Sequence, residues 1–287
     1  MNRTAHAAPS TVGTRPHGER SVLVHLRDAR PARTAADWVE PTPAARPEVD
    51  LEVAIPAYNE AARLPDTLRR TVAFLGGQPW SSRVVVVDNG SSDGTADVVR
   101  AHIRAAGDGV PVELVGCARP GKGAAVRRAL LRSRSRFVGF FDADLATPVE
   151  TLSAVMEHLE AGAAAVVGSR YAAGARFVHT QPAGRRLGGA AFRLATRSLV
   201  HGVQDTQCGF KFFDRAAVIP ALVTCRTTGF AFDVELLRHL QAAGQEIVEV
   251  PVEWSHFDGS SFSPLRDGMS AFRAVLQLQR VAAGLAS

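Results

Sequence analysis

Two carboxylates one residue apart, Asp142 and Asp144, close the apolar run Phe137-Val138-Gly139-Phe140-Phe141, with Pro148 shortly after. The run has the length and composition of a buried β-strand, so charge arrives at a strand tip. Extended alternation sends both carboxylates to one side, where like charges raise each other's pKa unless a cation lies between them. A hard divalent ion, Mg2+ or Mn2+, carrying substrate phosphates suits such a pair. A second reading makes Asp144 or Thr147 the cap of a helix that begins near Pro148. Taken alone, this short motif leaves the two readings level.

Other residues of the same kind lie upstream. Asp88 ends the apolar run Val84-Val85-Val86-Val87 and opens the turn Asn89-Gly90-Ser91-Ser92-Asp93-Gly94. Pro56, Tyr58 and Glu60 follow the short run Leu51–Ile55; they fit either a ligand site or the plain end of a strand and start of a helix. Lys122 stands between Gly121 and Gly123, where the chain can come close to a diphosphate and offer a point charge, or simply turn. Of the 33 basic residues only Lys122 and Lys211 are lysines, which favours a specific use. The Walker spacing is missing, so this is not a P-loop.

These residues need a frame that brings them together. Apolar strands alternate with helical patterns through residues 51–170; Leu64, Leu68, Val72 and Leu75, for example, make one buried helix face. That alternation predicts βαβ units and a parallel sheet covered on both faces, with ligands at the carboxyl ends of the strands. Asp88, Lys122, Asp142 and Asp144 all fall at or just past such ends. Further on, residues 174–184 lose periodicity and read as a mobile loop, followed by a helix over 188–203 with Arg185 and Arg186 near its start. Arg193 and Arg197 read as a solvated helix side. A turn at 205–209 leads into the strand Phe210–Phe213, a helix opens near Phe232, a strand spans Ile247–Trp254, and a last helix covers 265–283. The phenylalanines of 210–213 read as core, with part of the cluster available to a lipid tail. The last helix either packs on the domain or lies at a membrane interface.

Composition sets the outer bounds. A chain of 287 residues with 46% hydrophobic and 21% charged residues builds a sizeable core. Residues 1–49 hold six of the 16 prolines and read as a disordered leader, with a short strand expected at Val22–Leu26; residues 50–287 read as one domain. The net charge of +5 comes from scattered arginines, which suits anionic substrates or a membrane surface but not nucleic acid. Three separated cysteines imply a reduced, cytoplasmic chain, and Cys208, with no adjacent histidine, reads as a packed residue. No apolar stretch reaches spanning length, so any membrane contact is peripheral.

Four motifs in order, Ile55-Pro56-Ala57-Tyr58-Asn59-Glu60, Val87-Asp88-Asn89-Gly90-Ser91-Ser92-Asp93-Gly94-Thr95, Gly121-Lys122-Gly123 and Asp142-Ala143-Asp144, resemble those of family 2 inverting glycosyltransferases with the GT-A fold. The resemblance covers about 51–265. Downstream, Asp205–Lys211, Phe232–Leu237 and Val252-Glu253-Trp254 with Gly259-Ser260 are similar to dolichyl-phosphate (polyprenyl-phosphate) β-glucosyltransferases, and match dolichyl-phosphate mannose synthases less well.

The resemblance implies an α/β GT-A enzyme with a mostly parallel, Rossmann-like sheet. It implies that Pro56, Tyr58 and Glu60 frame the base and ribose of a nucleotide sugar, such as UDP-glucose, and that Asp88 bonds the uracil or ribose. Lys122 then faces the diphosphate, and Asp142 and Asp144 hold Mg2+ or Mn2+, with Asp144 the more direct ligand and His256 a possible third. With a hydroxyl acceptor, Asp233 is the candidate general base; with a polyprenyl phosphate, already ionised, it orients sugar or acceptor. A phosphate acceptor calls for cations, and Arg170, Arg185, Arg186 and Lys211 are the candidates. Three functions stand at this point: transfer of a hexose to a polyprenyl phosphate, transfer to a soluble hydroxyl compound, and nucleotide-sugar binding without catalysis.

Overall fold

The structure, a computed structural model, describes residues 46–107, 109–178, 183–255 and 266–284, with the side chains of 183–187 and 266–267 outside that description. The expected leader, its Val22–Leu26 strand and His256 therefore lie outside the described residues or mostly so. By Glu48 the chain is already tied down: its carboxylate meets Arg83 at 3.0 Å and Arg134 at 3.0 Å.

The first half alternates as the periodicity predicts: β1 (Leu51–Ala57), α1 (Leu64–Gly76), β2 (Ser82–Asp88), α2 (Thr95–Ala105), β3 (Val112–Gly116), α3 (Lys122–Arg132), β4 (Phe137–Phe141), α4 (Leu152–Glu160) and β5 (Ala165–Ser169). The second half adds β6 (Arg176–Phe177), α5 (Ala183–Thr196), β7 (Phe210–Asp214), α6 (Arg215–Thr224), α7 (Phe232–Ala242), β8 (Ile247–Pro251), β9 (Glu253–Trp254) and α8 (Arg266–Ala282).

Seven strands form one sheet in the order β3-β2-β1-β4-β7-β5-β8. The chain leaves β1 for β2 on one side and returns to β4 on the other, both parallel to β1, so a crevice opens between the carboxyl ends of β1 and β4. Helices cover both faces, as alternation along β4 shows: Val138 and Phe140 enter one core, Phe137 and Phe141 the other.

The parallel expectation fails at one strand. β7 runs antiparallel to both neighbours, pairing Phe141 with Phe210 and Phe140 with Lys211. Direction is invisible in a buried apolar run, because both arrangements hide the same side chains. The consequence is functional: the reversed strand starts where β4 ends, so the 205–209 turn meets the Asp142 tip. Gly139 lets β7 approach, since a Cβ there would lie 2.1 Å from Phe212.

Four other expectations change. The 174–184 stretch contains β6, which pairs with β9 in a separate two-stranded sheet, so the expected strand Ile247–Trp254 is two strands in two sheets. The helix expected over 188–203 covers 183–196. Phe210, Phe212 and Phe213 are wholly buried, which removes them as a lipid contact. The last helix packs on the domain: Val275 is buried and Phe272 meets Phe192 edge-on at 5.3 Å, while Met269 and Leu276 stay exposed. Among the described residues no helix is long and apolar enough to cross a membrane.

Candidate active site

The carboxylate pair sits in a turn immediately beyond β4. Asp142 N donates to Gly209 O at 3.0 Å, Leu145 adopts a left-handed φ of 48°, and Asp144 Oδ1 accepts from Ala146 N at 3.0 Å. Between the two acids Ala143 is buried, its carbonyl accepting from Thr67 Oγ1 at 2.6 Å, so the pair is pinned from below. Both carboxylates line one open pocket of about 200 Å3 with Thr147, Gly209 and Trp254. A side chain at position 209 would displace the Asp142 carboxylate, because its Cβ would lie 1.9 Å from an Asp142 oxygen. Burial raises the Asp144 pKa, and the Asp142 charge adds to the effect. The Asp144 bond to Ala146 is a local turn and not a helix cap: the helical turn Val149–Thr151 starts from Pro148 with no side-chain cap, so neither Asp144 nor Thr147 fills the capping role.

Lys122, the first residue of α3, places its Nζ 2.6 Å from Asp142 Oδ1. Burial opposes its charge, but Asp142, Asp233 and Asp144 outweigh that and hold its pKa above the ordinary lysine value. The backbone that delivers it needs two glycines. Gly121 has φ 115°, and a Cβ there would meet Thr228 O at 2.3 Å; one on Gly123 would meet Phe232 Cβ at 2.4 Å. The second contact brings the N-terminus of α7 against that of α3, so two positive dipole ends meet at the Lys122 turn.

Asp233, in the first turn of α7, is almost fully buried and faces Lys211 Nζ at 2.9 Å, an ion pair whose angle falls outside hydrogen-bond geometry. Lys211 is wholly buried and also donates to Cys208 O at 2.5 Å. The two lysines of the chain thus lie on one ring: Lys122 and Lys211 are each 5.7 Å from the centroid of Phe140.

The β1 and β2 ends are stitched together. Asn59, with φ 57°, accepts through Oδ1 from Ser92 N at 2.9 Å, and Glu60 N donates to Thr95 Oγ1 at 2.8 Å. Tyr58 is left half exposed beside them. Burial raises the Glu60 pKa; Arg63, 2.6 Å away, opposes this, and the charges of Asp144 and Asp142 add to it, which places Glu60 on the carboxylate side of the crevice. Pro56 pairs with Val87 across the same two strands. Asp88 Oδ1 accepts from Ser91 N at 3.0 Å.

Two residues expected to meet an acceptor have internal partners. Arg170 grips the fully buried Asp205 through Nε at 2.7 Å and Nη2 at 2.9 Å, and Asp205 also accepts from Arg170 N. Burial works against the Asp205 charge, yet Arg170 prevails and keeps its pKa below the usual carboxylate range. Lys211, sealed in the core, reaches no acceptor. Both are therefore supports of the 205–209 turn. Arg185 and Arg186 belong to the first turn of α5, their side chains outside the described residues. Arg193, expected as a solvated cation, hydrogen-bonds Tyr171 Oη and lies 3.8 Å over its ring. Cys208 is buried, its thiol pushed up to about 11 by burial, as a packed residue should be.

Sequence reasoning passed over three contributors. Asn89 donates to Cys117 O and Arg119 O at 3.1 and 2.7 Å and accepts from Gly121 N at 2.8 Å, joining the β2 end to the Lys122 turn. Its place between Asp88 and Gly90 was the available signal. Trp254 walls the pocket, and Glu235 receives Arg226 N and Thr227 N at 3.0 and 2.7 Å beneath the α7 start. Both lie within the downstream motifs Phe232–Leu237 and Val252-Glu253-Trp254, but nothing in those motifs says which member reaches the site.

Comparison with known proteins follows this geometry. The family model described as Glycosyl transferase family 2 matches residues 52–220. The chain is 32% identical over 240 residues to a dolichyl-phosphate beta-glucosyltransferase of Dictyostelium discoideum, covering 80% of this chain and 73% of that one. It is 31% identical over 230 residues to the human protein of the same name, covering 76% and 71%. Among solved structures, glucosyl-3-phosphoglycerate synthase from Mycobacterium tuberculosis with Mn2+, UDP and glucosyl-3-phosphoglycerate superposes with a TM-score of 0.60 at 19% identity, over 84% of this chain and 82% of that one. The same synthase with Mg2+ and UDP gives 0.61 at 18% identity, over 84% and 81%.

Proposed function

This chain belongs to glycosyl transferase family 2 and is a glycosyltransferase of the GT-A fold, and from that premise we propose that it moves glucose from UDP-glucose to a polyprenyl phosphate with inversion at the anomeric carbon. The observation that carries the choice of acceptor is the sealed Lys211–Asp233 pair. A hydroxyl acceptor needs a base beside the attacked carbon, and Asp233 is buried against an ammonium. A phosphate acceptor is already ionised and needs no such base. The names of the relatives over most of their length support the same choice.

Asp142 and Asp144 suit a hard divalent cation: both are oxygen donors on one pocket, and the Lys122 ammonium already sits on Asp142 where positive charge is wanted. Bound there, Mg2+ or Mn2+ supplies Lewis-acid stabilisation of the charge growing on the departing diphosphate. The chain's own groups divide the remaining work. Tyr58, Glu60 and Asp88 at the stitched β1 and β2 ends receive the nucleoside, and Asn89 holds the Lys122 turn against them. Lys122 and the α3 and α7 N-termini offset the diphosphate charge. Asp233, through Lys211, positions the α7 start. Arg185 and Arg186 are the remaining candidate cations for the acceptor phosphate. Acting on a lipid phosphate, the protein works at a cytoplasmic membrane face, and among the described residues no helix is long and apolar enough to cross it.

Purified protein with Mg2+ or Mn2+, a panel of UDP- and GDP-sugars and either polyprenyl phosphate or hydroxyl acceptors tests the proposal. Glucosyl transfer from UDP-glucose to the lipid phosphate is the expected result. Product with hydroxyl acceptors alone overturns the acceptor assignment, and loss of preference for UDP-glucose overturns the donor.

A further inference from the structure

A second cleft, about 540 Å3 out to its open mouth, lies behind the Lys122 turn and shares no lining residue with the carboxylate pocket. Four arginines line it, Arg119, Arg127, Arg128 and Arg226, over an apolar floor that includes Cys117 and Leu131, and no carboxylate is among its walls. Arg127 Nε donates to Leu222 O at 2.9 Å, which fixes its guanidinium in the cleft wall, and the Glu235 charge acts on it from beneath. Burial holds the Arg127 pKa below the ordinary arginine value, and Arg119 presses it the same way. Arg128 makes no hydrogen bond or ion pair with a described residue, and its Nε is buried. A buried guanidinium donor without an acceptor is costly, and an anion in the cleft would supply the acceptor that Arg128 lacks.

We propose that this cleft is a second anion site, binding a small phosphate ester whose phosphate is held by Arg128 and Arg226 beside Arg119 and Arg127. Guanidinium forks match phosphate oxygens in pairs, and the apolar floor receives a compact organic part. The site is wired to the donor side. Ala124 N donates to Thr228 O at 3.1 Å, position 121 is packed against the same carbonyl, and Glu235 anchors the Arg226–Thr227 backbone. A ligand spanning Arg119 and Arg226 therefore braces the turn that presents Lys122, and occupancy changes donor affinity reciprocally.

Calorimetric titration of the full chain with glycerol 3-phosphate, at low salt without nucleotide or divalent cation, tests the site independently of any transferase assay. Saturable binding is expected, weakened at least about tenfold by Arg128→Gln combined with Arg226→Gln and unchanged by Asp144→Asn. Arg226→Ala alone, at an exposed position where folding is not at issue, also weakens it. Absence of saturable binding, equal binding by the arginine variants, or full competition by UDP overturns the proposal.

Discussion

Lys211 Nζ and Asp233 Oδ1 face each other at 2.9 Å with neither side chain open to solvent. Lys211 comes from the antiparallel strand and Asp233 from the first turn of α7, so one ion pair joins the reversed strand to the helix end beside the Lys122 ammonium. Such a pair is tolerated while complete, and breaking it leaves an uncompensated buried charge.

Lys211→Met is accordingly expected to lower stability by about 3–5 kcal/mol, and the double variant Lys211→Met with Asp233→Leu to recover much of that loss. Urea unfolding of both variants checks it; additive losses would mean that the two charges do not sense each other.

Lys122→Ala removes the ammonium beside Asp142 that is proposed to face the donor diphosphate. Turnover is expected to fall about 100-fold or more, with a smaller change in thermal midpoint, since the side chain is partly solvated. Steady-state kinetics against UDP-glucose, alongside a melt, separates the two effects.

Gly209→Ala directs a methyl at the Asp142 carboxylate, 1.9 Å from an oxygen whose side chain is 40% exposed and free to rotate away. Activity is expected to drop at least about tenfold from this displacement, with stability nearly kept. Loss of fold in step with activity would count against it.

Glu235 governs a pH dependence. Burial pushes its pKa up, but His239, with Nε2 3.8 Å away, and hydrogen bonds from Thr227 and the Arg226 backbone outweigh that and bring it down to about 2. A lowered folded-state pKa means that the stabilisation is present above the unfolded value, about 4.3, and is lost as pH falls from there to about 2. Glu235→Gln should therefore flatten the stability profile across that acid window and be less stable above it, as equilibrium unfolding at stepped pH will show.

Much of the strand-end cluster was legible in the amino-acid order. Asp88, Lys122, Asp142 and Asp144 could be placed on strand ends because strand and helix periods are local, and a parallel sheet puts all carboxyl ends on one edge. The acceptor side was not legible in the same way. Arg170 and Lys211 carry the charge a phosphate needs, but whether that charge faces a ligand or another side chain depends on residues distant in sequence. Asp205 lies 35 positions from Arg170 and occupies its fork; Asp233 takes Lys211.

By itself, the order of residues determined the alternation of elements, the carboxylate tip and the glycines around Lys122, since each follows from spacing within a few positions. Only the tertiary structure decided that the Asp142–Asp144 tip meets the 205–209 turn, because that contact depends on the reversed direction of β7, and a buried apolar strand hides the same side chains whichever way it runs.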